Sequence, residues 1–232
     1  MLPSLFPVAN KLLSALPRAE YLQLASDLEP VTLAVGDVLC EAGEPVKWVY
    51  FVDDALVSLL MPVDGTEIFA VGLVGREGMI GICTVMGVPV STTRATVLCA
   101  GQAHRARADA FVAAFRASEA VRTVVLQFVY TLKTQISETA ACNQFHVIEA
   151  RLARWLLMTR DRLSSDHFHM THETMGNLLG VRRVGVTNAA YSLKGKNLID
   201  YSRGAIDIID GIGLRAAACS CYRPLGGRHG TV

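Results

Sequence analysis

The sequence lacks any long apolar run. No stretch approaches the ~20 consecutive apolar residues that a membrane-spanning helix needs, although hydrophobic residues make up 51% of the chain. The first residues also lack the basic leader and apolar core of a secretory signal. We therefore expect a soluble, cytoplasmic protein with no membrane partner. A length of 232 residues suits two domains, each with its own core.

Net charge is also nearly absent, at +1 by formal count. The molecule as a whole is therefore no polycation, and any affinity for nucleic acid must come from a local patch. One candidate patch consists of Arg182, Arg183, Lys194, Lys196 and Arg203. Phosphate neutralisation by these side chains would make DNA binding strongly salt-dependent.

Cysteines are few and scattered, and of the six only Cys219 and Cys221 are close in sequence. This spacing is not that of a disulfide framework, so we expect the cysteines to be small core residues with free thiols in a reducing compartment. A redox role for Cys219 and Cys221 is the disfavoured alternative. The run 166–173, with His167, His169 and His172, resembles a metal site. We interpret it as a solvated linker and expect no metal.

Motifs of catalysis are missing. The chain has no glycine-rich phosphate loop that opens a helix, no nucleophile elbow and no His-Glu-x-x-His helix. We therefore expect that the protein is not an enzyme.

The N-terminal half shows short strands after a helical start. One or two helices are predicted over residues 9–29, and from Val31 the apolar period changes to two. Turn signals recur about every 8–12 residues, among them Asp64-Gly65 as a hairpin. The pattern predicts a small antiparallel jelly roll of about eight strands.

A long helix is predicted from Ser118 to Cys142, after a short helix capped by Asp109. Its apolar stripe recurs at alternating four- and three-residue steps: Val121, Val125, Phe128, Leu132 and Thr139. A stripe of this width indicates that the helix packs against two neighbouring elements, and we favour a helix at the interface of a dimer. The alternative is a helix buried entirely within its own subunit.

Residues 171–199 are interpreted as a helix-turn-helix. Thr171 can cap the first helix and Gly180 can end it, because glycine adopts positive φ without strain. Gly176 lacks a side chain where the second helix must cross closely. The inward stripe of that second helix is Val181, Val186, Ala189, Ala190 and Leu193. The outward residues are Arg182, Arg183, Val184, Gly185, Thr187, Asn188 and Tyr191.

An outer face with Arg, Thr and Asn suits a DNA major groove, although an ordinary helical hairpin has the same spacing. The following segments favour DNA binding. Residues 198–202 and 205–209 are strand-like runs around the Arg203-Gly204 turn. Helix, turn, helix and a two-stranded ribbon together predict a winged helix.

This layout resembles the Crp–Fnr family of bacterial transcription regulators over nearly the whole chain. The strongest matches are residues 151–155, 171–199 and 201–204, while 39–43, Gly65 and 75–81 match more loosely. The resemblance implies a homodimer that binds a two-fold DNA site near a promoter, contacts RNA polymerase, and is controlled by an effector in a sensory roll.

The resemblance also implies DNA-contacting residues. Arg183 matches the family arginine that reads guanine. Val184 stands where cyclic-AMP-binding members have a glutamate that reads cytosine, so a thymine methyl is expected instead. Asn188 replaces a second arginine and suits adenine. The positions of family phosphate contacts are Thr171, Arg182, Gly185 and Tyr191, the Gly185 contact being through its backbone.

The sensory cassette departs from the family pattern. The loop from Gly78 to Gly81 has no carboxylate for a ribose, and Thr92 and Arg94 lie near the replaced Arg-Ser pair. The long helix offers Ile136 and Ser137 at the purine contacts. These six residues are the candidate effector site. A cyclic nucleotide is disfavoured and surface ion pairing is favoured for Arg94. Cys40 stands alone, which argues against an N-terminal iron–sulfur cluster.

The sequence therefore predicts an α+β protein with four parts. They are an N-terminal cyclic-nucleotide-binding-like jelly roll at 1–117, a dimerisation helix at 118–145, a winged helix-turn-helix at 146–223 and a flexible tail at 224–232. The predicted function is sequence-specific transcription regulation by a homodimer that reads DNA with helix 182–195. No cofactor is identified. The alternative is a ligand-sensing module that binds a protein instead of DNA.

Overall fold

The computed structural model describes residues 9–63 and 67–225. The chain divides into two compact units, Met1–Met61 with Val74–Lys133, and Pro62–Leu73 with Thr134–Val232. The predicted Asp64-Gly65 turn and most of the predicted tail lie outside the described residues. Within those residues, none of the helices is long and apolar enough to cross a membrane.

Two short helices, α1 (Lys11–Ser14) and α2 (Arg18–Ala25), precede the strands. Asn10 fixes α1 because its side-chain oxygen accepts from the amides of Leu12 and Leu13. The Asn10 amide group also donates to the carbonyl oxygens of Val52 at 2.7 Å and Gly78 at 2.9 Å. A single buried side chain therefore caps the helix and ties it to the strands.

Eight strands follow, in agreement with the predicted jelly roll. They are β1 (Glu29–Leu33), β2 (Val38–Cys40), β3 (Trp48–Val52), β4 (Leu56–Val63), β5 (Glu67–Val74), β6 (Met79–Ile80), β7 (Arg94–Cys99) and β8 (Gly101–Arg107). They form two four-stranded sheets, with orders β1-β8-β3-β6 and β2-β7-β4-β5. A 3-10 helix occupies Ile82–Met86. The α+β fold class is thus confirmed.

Two helices then succeed one another directly, α3 (Ala108–Ala117) and α4 (Glu119–Phe145). The prediction that Asp109 caps α3 was wrong, because the helix already begins at Ala108 and Asp109 lies in its first turn. The Ser118 hydroxyl does accept from the Val121 amide at 3.3 Å, as predicted. The predicted α4 stripe is buried within this chain.

Two close contacts hold α4 in place, one in each unit. In the first unit, Gly78 leaves room for Phe128, since a β-carbon on Gly78 would lie 2.3 Å from the Phe128 ring. In the second unit, Gln135 accepts from the Leu73 amide at 2.7 Å and donates to the Leu73 carbonyl at 3.1 Å. The Gln135 amide thus satisfies both buried backbone groups of a strand residue.

The C-terminal part contains helices α5 (Ile148–Leu163), α6 (His172–Leu179), α7 (Arg183–Gly195) and α8 (Gly211–Ala217), and strands β9 (His167–His169), β10 (Ile199–Ser202) and β11 (Ala205–Ile208). The three strands form one antiparallel sheet, β10-β11-β9. The interpretation of 166–173 as a linker was therefore wrong, because residues 167–169 form a strand, although His167 and His169 are exposed to solvent as expected. Phe168 is buried opposite Ile206 and anchors β9 to the wing.

Candidate nucleic-acid interface

Helices α6 and α7 form the helix-turn-helix, and α6 has the predicted termini. The Thr171 hydroxyl accepts from the Thr174 amide at 3.1 Å and caps α6. Gly180 ends α6 with φ of 61°. A β-carbon on Gly176 would lie 3.0 Å from the Val181 carbonyl oxygen, so this position accommodates the tight turn into α7.

The recognition face of α7 is exposed as predicted, with one exception. Val186, Ala189, Ala190 and Leu193 are buried, whereas Arg182, Arg183, Val184, Thr187, Asn188 and Tyr191 are exposed. Gly185 was wrongly assigned to the outward face. A β-carbon there would lie 3.1 Å from Ile148, and the Gly185 amide already donates to the Arg182 carbonyl at 2.9 Å. Arg182 is the N-cap residue, so α7 itself begins at Arg183.

His172 connects α6 to α7 and to the wing. Its ring stacks on Tyr201 with centroids 4.2 Å apart, and its Nδ1 lies 3.0 Å from the Thr187 hydroxyl. Because Thr187 also donates to the Arg183 carbonyl, the neutral ring donates from Nδ1. Burial, with Arg183 nearby, lowers the pKa of His172 below its ordinary value. His172 is thus a positioning residue that links α6, α7 and the wing.

The wing turn has the geometry of a two-residue hairpin. Arg203 and Gly204 both have positive φ, at 49° and 91°, as a type I′ turn requires. A β-carbon on Gly204 would collide with the His169 ring at 2.4 Å. This tight turn places Arg203 at the exposed tip of the wing.

The basic patch is smaller than the sequence indicates. Lys194 pairs with Asp200, and Lys196 pairs with Glu149, each at 2.5 Å. Within residues 9–63 and 67–225, no ion pair to a carboxylate is found for Arg182, Arg183 or Arg203. These three arginines are therefore the cations available for phosphate or base edges.

Comparison with protein-family models identifies the domain that contains this surface. Residues 150–217 match the model of the Crp-like helix-turn-helix domain. The chain carries a Crp-like DNA-binding domain. A comparison with curated proteins finds no match.

Solved structures share the fold beyond the Crp-like domain. FixK2 from Bradyrhizobium japonicum matches with a TM-score of 0.72 and 13% identity, over 83% of this chain and 98% of that one. Two regulators from Thermus thermophilus, of the CRP and the CRP/FNR families, have TM-scores of 0.69 and 0.67. Their identities are 16% and 18%, over 83% and 82% of this chain and 98% of each of theirs. The chain therefore carries a Crp-like helix-turn-helix domain, and its fold is that of these solved transcription regulators.

The residues expected to bind an effector have mostly structural surroundings. Gly78 packs on Phe128, and Gly81 has φ of 89°. Thr92 is exposed, and Arg94 pairs with Glu41 at 3.4 Å, which is the ion pairing favoured for it. Ile136 and Ser137 are exposed on the part of α4 that belongs to the second unit.

One side-chain cluster escapes sequence reasoning. Cys142, His146, Cys219 and Cys221 converge so that their four potential ligand atoms all lie within 4.8 Å of one another. Cys142 and Cys219 are 77 residues apart in sequence, and no spacing pattern relates them. The sequence shows only that Cys219 and Cys221 are close together, because Cys142 and His146 join them only in the folded chain.

Proposed function

We propose that the protein is a homodimer that binds a two-fold DNA site in the cytoplasm, with one α7 helix in each of two successive major grooves. The observation that carries the proposal is the exposed polar face of α7 within the Crp-like domain. A two-fold site follows because a dimer presents two recognition helices about one helical turn of DNA apart.

Base recognition would be divided among three residues. Arg183 is suited to donate two hydrogen bonds to guanine, and Asn188 to bond adenine. Val184 is 64% exposed and has no polar group, so it suits the methyl group of thymine. Around them, the proposed phosphate contacts are Thr171, Arg182, Tyr191 and Arg203. The Gly185 amide and the Thr187 hydroxyl already donate within the helix-turn-helix, to the carbonyls of Arg182 and Arg183.

Dimerisation is supported by an apolar face on α4. Leu126 is 50% exposed and Tyr130 is 69% exposed, and the two side chains are one helical turn apart on the same face. These side chains lie on the side of α4 away from the buried stripe. A second copy of the helix would remove them from water. Sedimentation of the wild-type chain as a dimer, and of Leu126→Glu as a monomer, is the expected result.

Control by an unidentified effector in the roll is also proposed, as is contact of the bound dimer with RNA polymerase, both from family resemblance. A cyclic nucleotide is not favoured. A cyclic phosphate needs a buried cation, and Arg94 is half-exposed and paired with Glu41.

The test is selection of bound DNA from a random duplex library by the purified full-length protein. Enrichment of a two-fold site by the wild type, and its loss in Arg183→Ala, is expected. Arg18→Ala, which changes an exposed arginine on α2, is the control and keeps the site. Failure of the wild type to enrich any site, with and without cyclic nucleotides and at low salt, would contradict the proposal and favour a protein-binding module.

A further inference from the structure

The cluster of Cys142, His146, Cys219 and Cys221 lies outside the DNA-binding surface. Cys142 belongs to the last turns of α4, His146 directly follows that helix, and both other cysteines follow α8. The Sγ atoms of Cys142 and Cys219 are 3.3 Å apart, and Cys221 Sγ is 3.7 Å from His146 Nδ1. Cys142 and Cys219 are buried, while His146 and Cys221 are half-buried.

We propose that these four side chains bind a structural zinc ion. Three thiolates and one imidazole are a common closed zinc site, with tetrahedral geometry. Zinc–sulfur bonds of about 2.3 Å place neighbouring sulfurs about 3.8 Å apart in a tetrahedron. The observed sulfur–sulfur separation of 3.3 Å, the sulfur–nitrogen separation of 3.7 Å and the limit of 4.8 Å for all four ligand atoms are near the tetrahedral spacing, so small side-chain rotations would complete the site.

The charge of the site is also balanced. A zinc ion with three thiolates and a neutral imidazole carries a net charge of −1, which is costly to bury alone. Arg154 is 1% exposed and donates to the Cys221 carbonyl at 3.3 Å and to the Thr139 hydroxyl at 3.3 Å. Arg154 also pairs with Glu138 at 4.0 Å, and Glu138 in turn pairs with Arg223 at 3.2 Å. Arg154 therefore places a buried positive charge beside the thiolates, where a metal–thiolate centre would use it.

A disulfide explains the arrangement less well. A bond between Cys142 and Cys219 would use two of the four groups and leave Cys221 and His146 without a role. The sulfurs are also farther apart than the ~2.05 Å of a disulfide bond. Convergence of a histidine with three cysteines is the feature that favours a metal ion over oxidation.

The proposed ion would join segments that are distant in sequence. Further contacts hold the C-terminal segment nearby, since the Tyr222 hydroxyl donates to Asp161 at 3.0 Å and the Cys219 amide donates to the Ala150 carbonyl at 3.3 Å. Because all four positions are occupied by protein ligands, the role is structural, and the metal adds its binding free energy to folding.

The experiment uses the full-length chain without an affinity tag, purified in the presence of a thiol reductant. Elemental analysis is expected to give one zinc per chain. After removal of zinc by a chelator, titration with Co²⁺ is expected to produce a thiolate-to-cobalt charge-transfer band and the d–d absorption of a tetrahedral site. Re-addition of zinc should abolish both signals.

Substitutions of single residues test which side chains bind the metal. Cys221→Ser and His146→Ala each remove one half-buried ligand, and Co²⁺ affinity should fall by more than about 100-fold, because loss of even an outer-shell partner costs about 10–100-fold. Cys83→Ser, at a half-buried cysteine on the 3-10 helix, is the matched control and should bind as the wild type does. Chelation should lower the Tm of the wild type and of Cys83→Ser, but not that of Cys221→Ser.

Several results would overturn the proposal. They are failure of the reduced wild type to take up zinc or Co²⁺, equal loss of affinity in Cys83→Ser, or the optical spectrum of an iron–sulfur cluster in the purified protein. Mass spectrometry that finds a Cys142–Cys219 disulfide in a protein that binds no metal after reduction would replace zinc with a thiol switch.

Discussion

Among the three residues proposed for base recognition, Val184 is the one whose side chain cannot form a hydrogen bond. It is exposed near the start of α7, between Arg183 and Gly185, and has no polar atom on its side chain. A glutamate at this position would reach the same depth and accept from the amino group of cytosine. In the proposed complex, valine would instead contact the methyl group of a thymine.

Val184→Glu is expected to change the preferred operator. The selected half-site should shift toward cytosine at one position, with discrimination on the order of 1–3 kcal/mol against the original base. The measurement is DNA selection followed by competition binding with single-base variants. Ile209→Glu, at an exposed residue after β11, is the matched control and should keep the wild-type preference. An unchanged preference in Val184→Glu would show that α7 does not contact bases at this residue.

His172 couples stability to pH through one buried ring nitrogen. Its Nε2 is buried and has no hydrogen-bond partner within the described part of the chain, so a proton there would be a poorly compensated charge. The pKa of His172 is lowered in the folded protein, and the unfolded chain therefore binds more protons near its ordinary value of about 6.5. Its contribution to stability is complete above that pH and is lost as pH falls through the lowered pKa.

The expected result is a Tm that falls between about pH 7.5 and pH 5.5 more steeply in the wild type than in His172→Gln. Glutamine can keep a polar contact with Thr187 but does not titrate. Identical slopes in the wild type and His172→Gln would refute a role for this ring.

At the scale of elements, the contact between the Gly78 segment and α4 depends on the absence of one methyl group. A β-carbon on Gly78 would lie 2.3 Å and 2.5 Å from two atoms of the Phe128 ring, and 3.0 Å from Val74. The Phe128 ring is buried, so it has little room to move.

Gly78→Ala should therefore lower the free energy of unfolding by about 1–3 kcal/mol, the usual cost of overpacking. Urea denaturation measures the change. Phe128→Leu in the same chain should restore part of the loss, because it removes the ring atoms that clash. Gly195→Ala at the end of α7, where no atom lies within 4 Å, should leave stability unchanged or slightly raised. Equal unfolding midpoints for Gly78→Ala and the wild type would contradict this packing argument.

Elements with strong local signals were predictable from sequence. The α6–α7 pair follows from the Thr171 cap, the Gly180 stop and a helical apolar period, and the wing turn follows from Arg203-Gly204. Strand β9 was missed because three residues with a single apolar side chain give no period, and its pairing with β11 is non-local. The cysteine cluster was missed for the same reason, since only the folded chain brings Cys142 to Cys219.

At the scale of the whole molecule, affinity for DNA rests on few charges. The net charge is +1, and two of the five patch cations are already paired with carboxylates. Long-range attraction is therefore weak, and in the proposed complex the phosphate contacts of each half-site would depend largely on Arg182 and the wing-tip Arg203.

Arg203→Ala should reduce the salt dependence of DNA binding in proportion to the number of phosphate contacts that are lost. The slope of log K against log salt should become shallower by about 0.9 per lost phosphate contact, or about 2 for a dimer with two wings. Binding measured at several salt concentrations gives this slope. The control Arg18→Ala should leave it unchanged. A slope that does not change in Arg203→Ala would place the wing away from the phosphates.

The pairing of β9 with β11 has a consequence for how the DNA-binding part can be isolated. His167 and Asp207 face each other at 2.7 Å although they are 40 residues apart in sequence. Helices α6 and α7 lie between them along the chain. Loop closure must therefore precede or accompany docking of α6 and α7, which slows folding relative to a purely helical hairpin. A peptide cut to α6 and α7 alone would lose this closure, and the shortest autonomous fragment must start before His167.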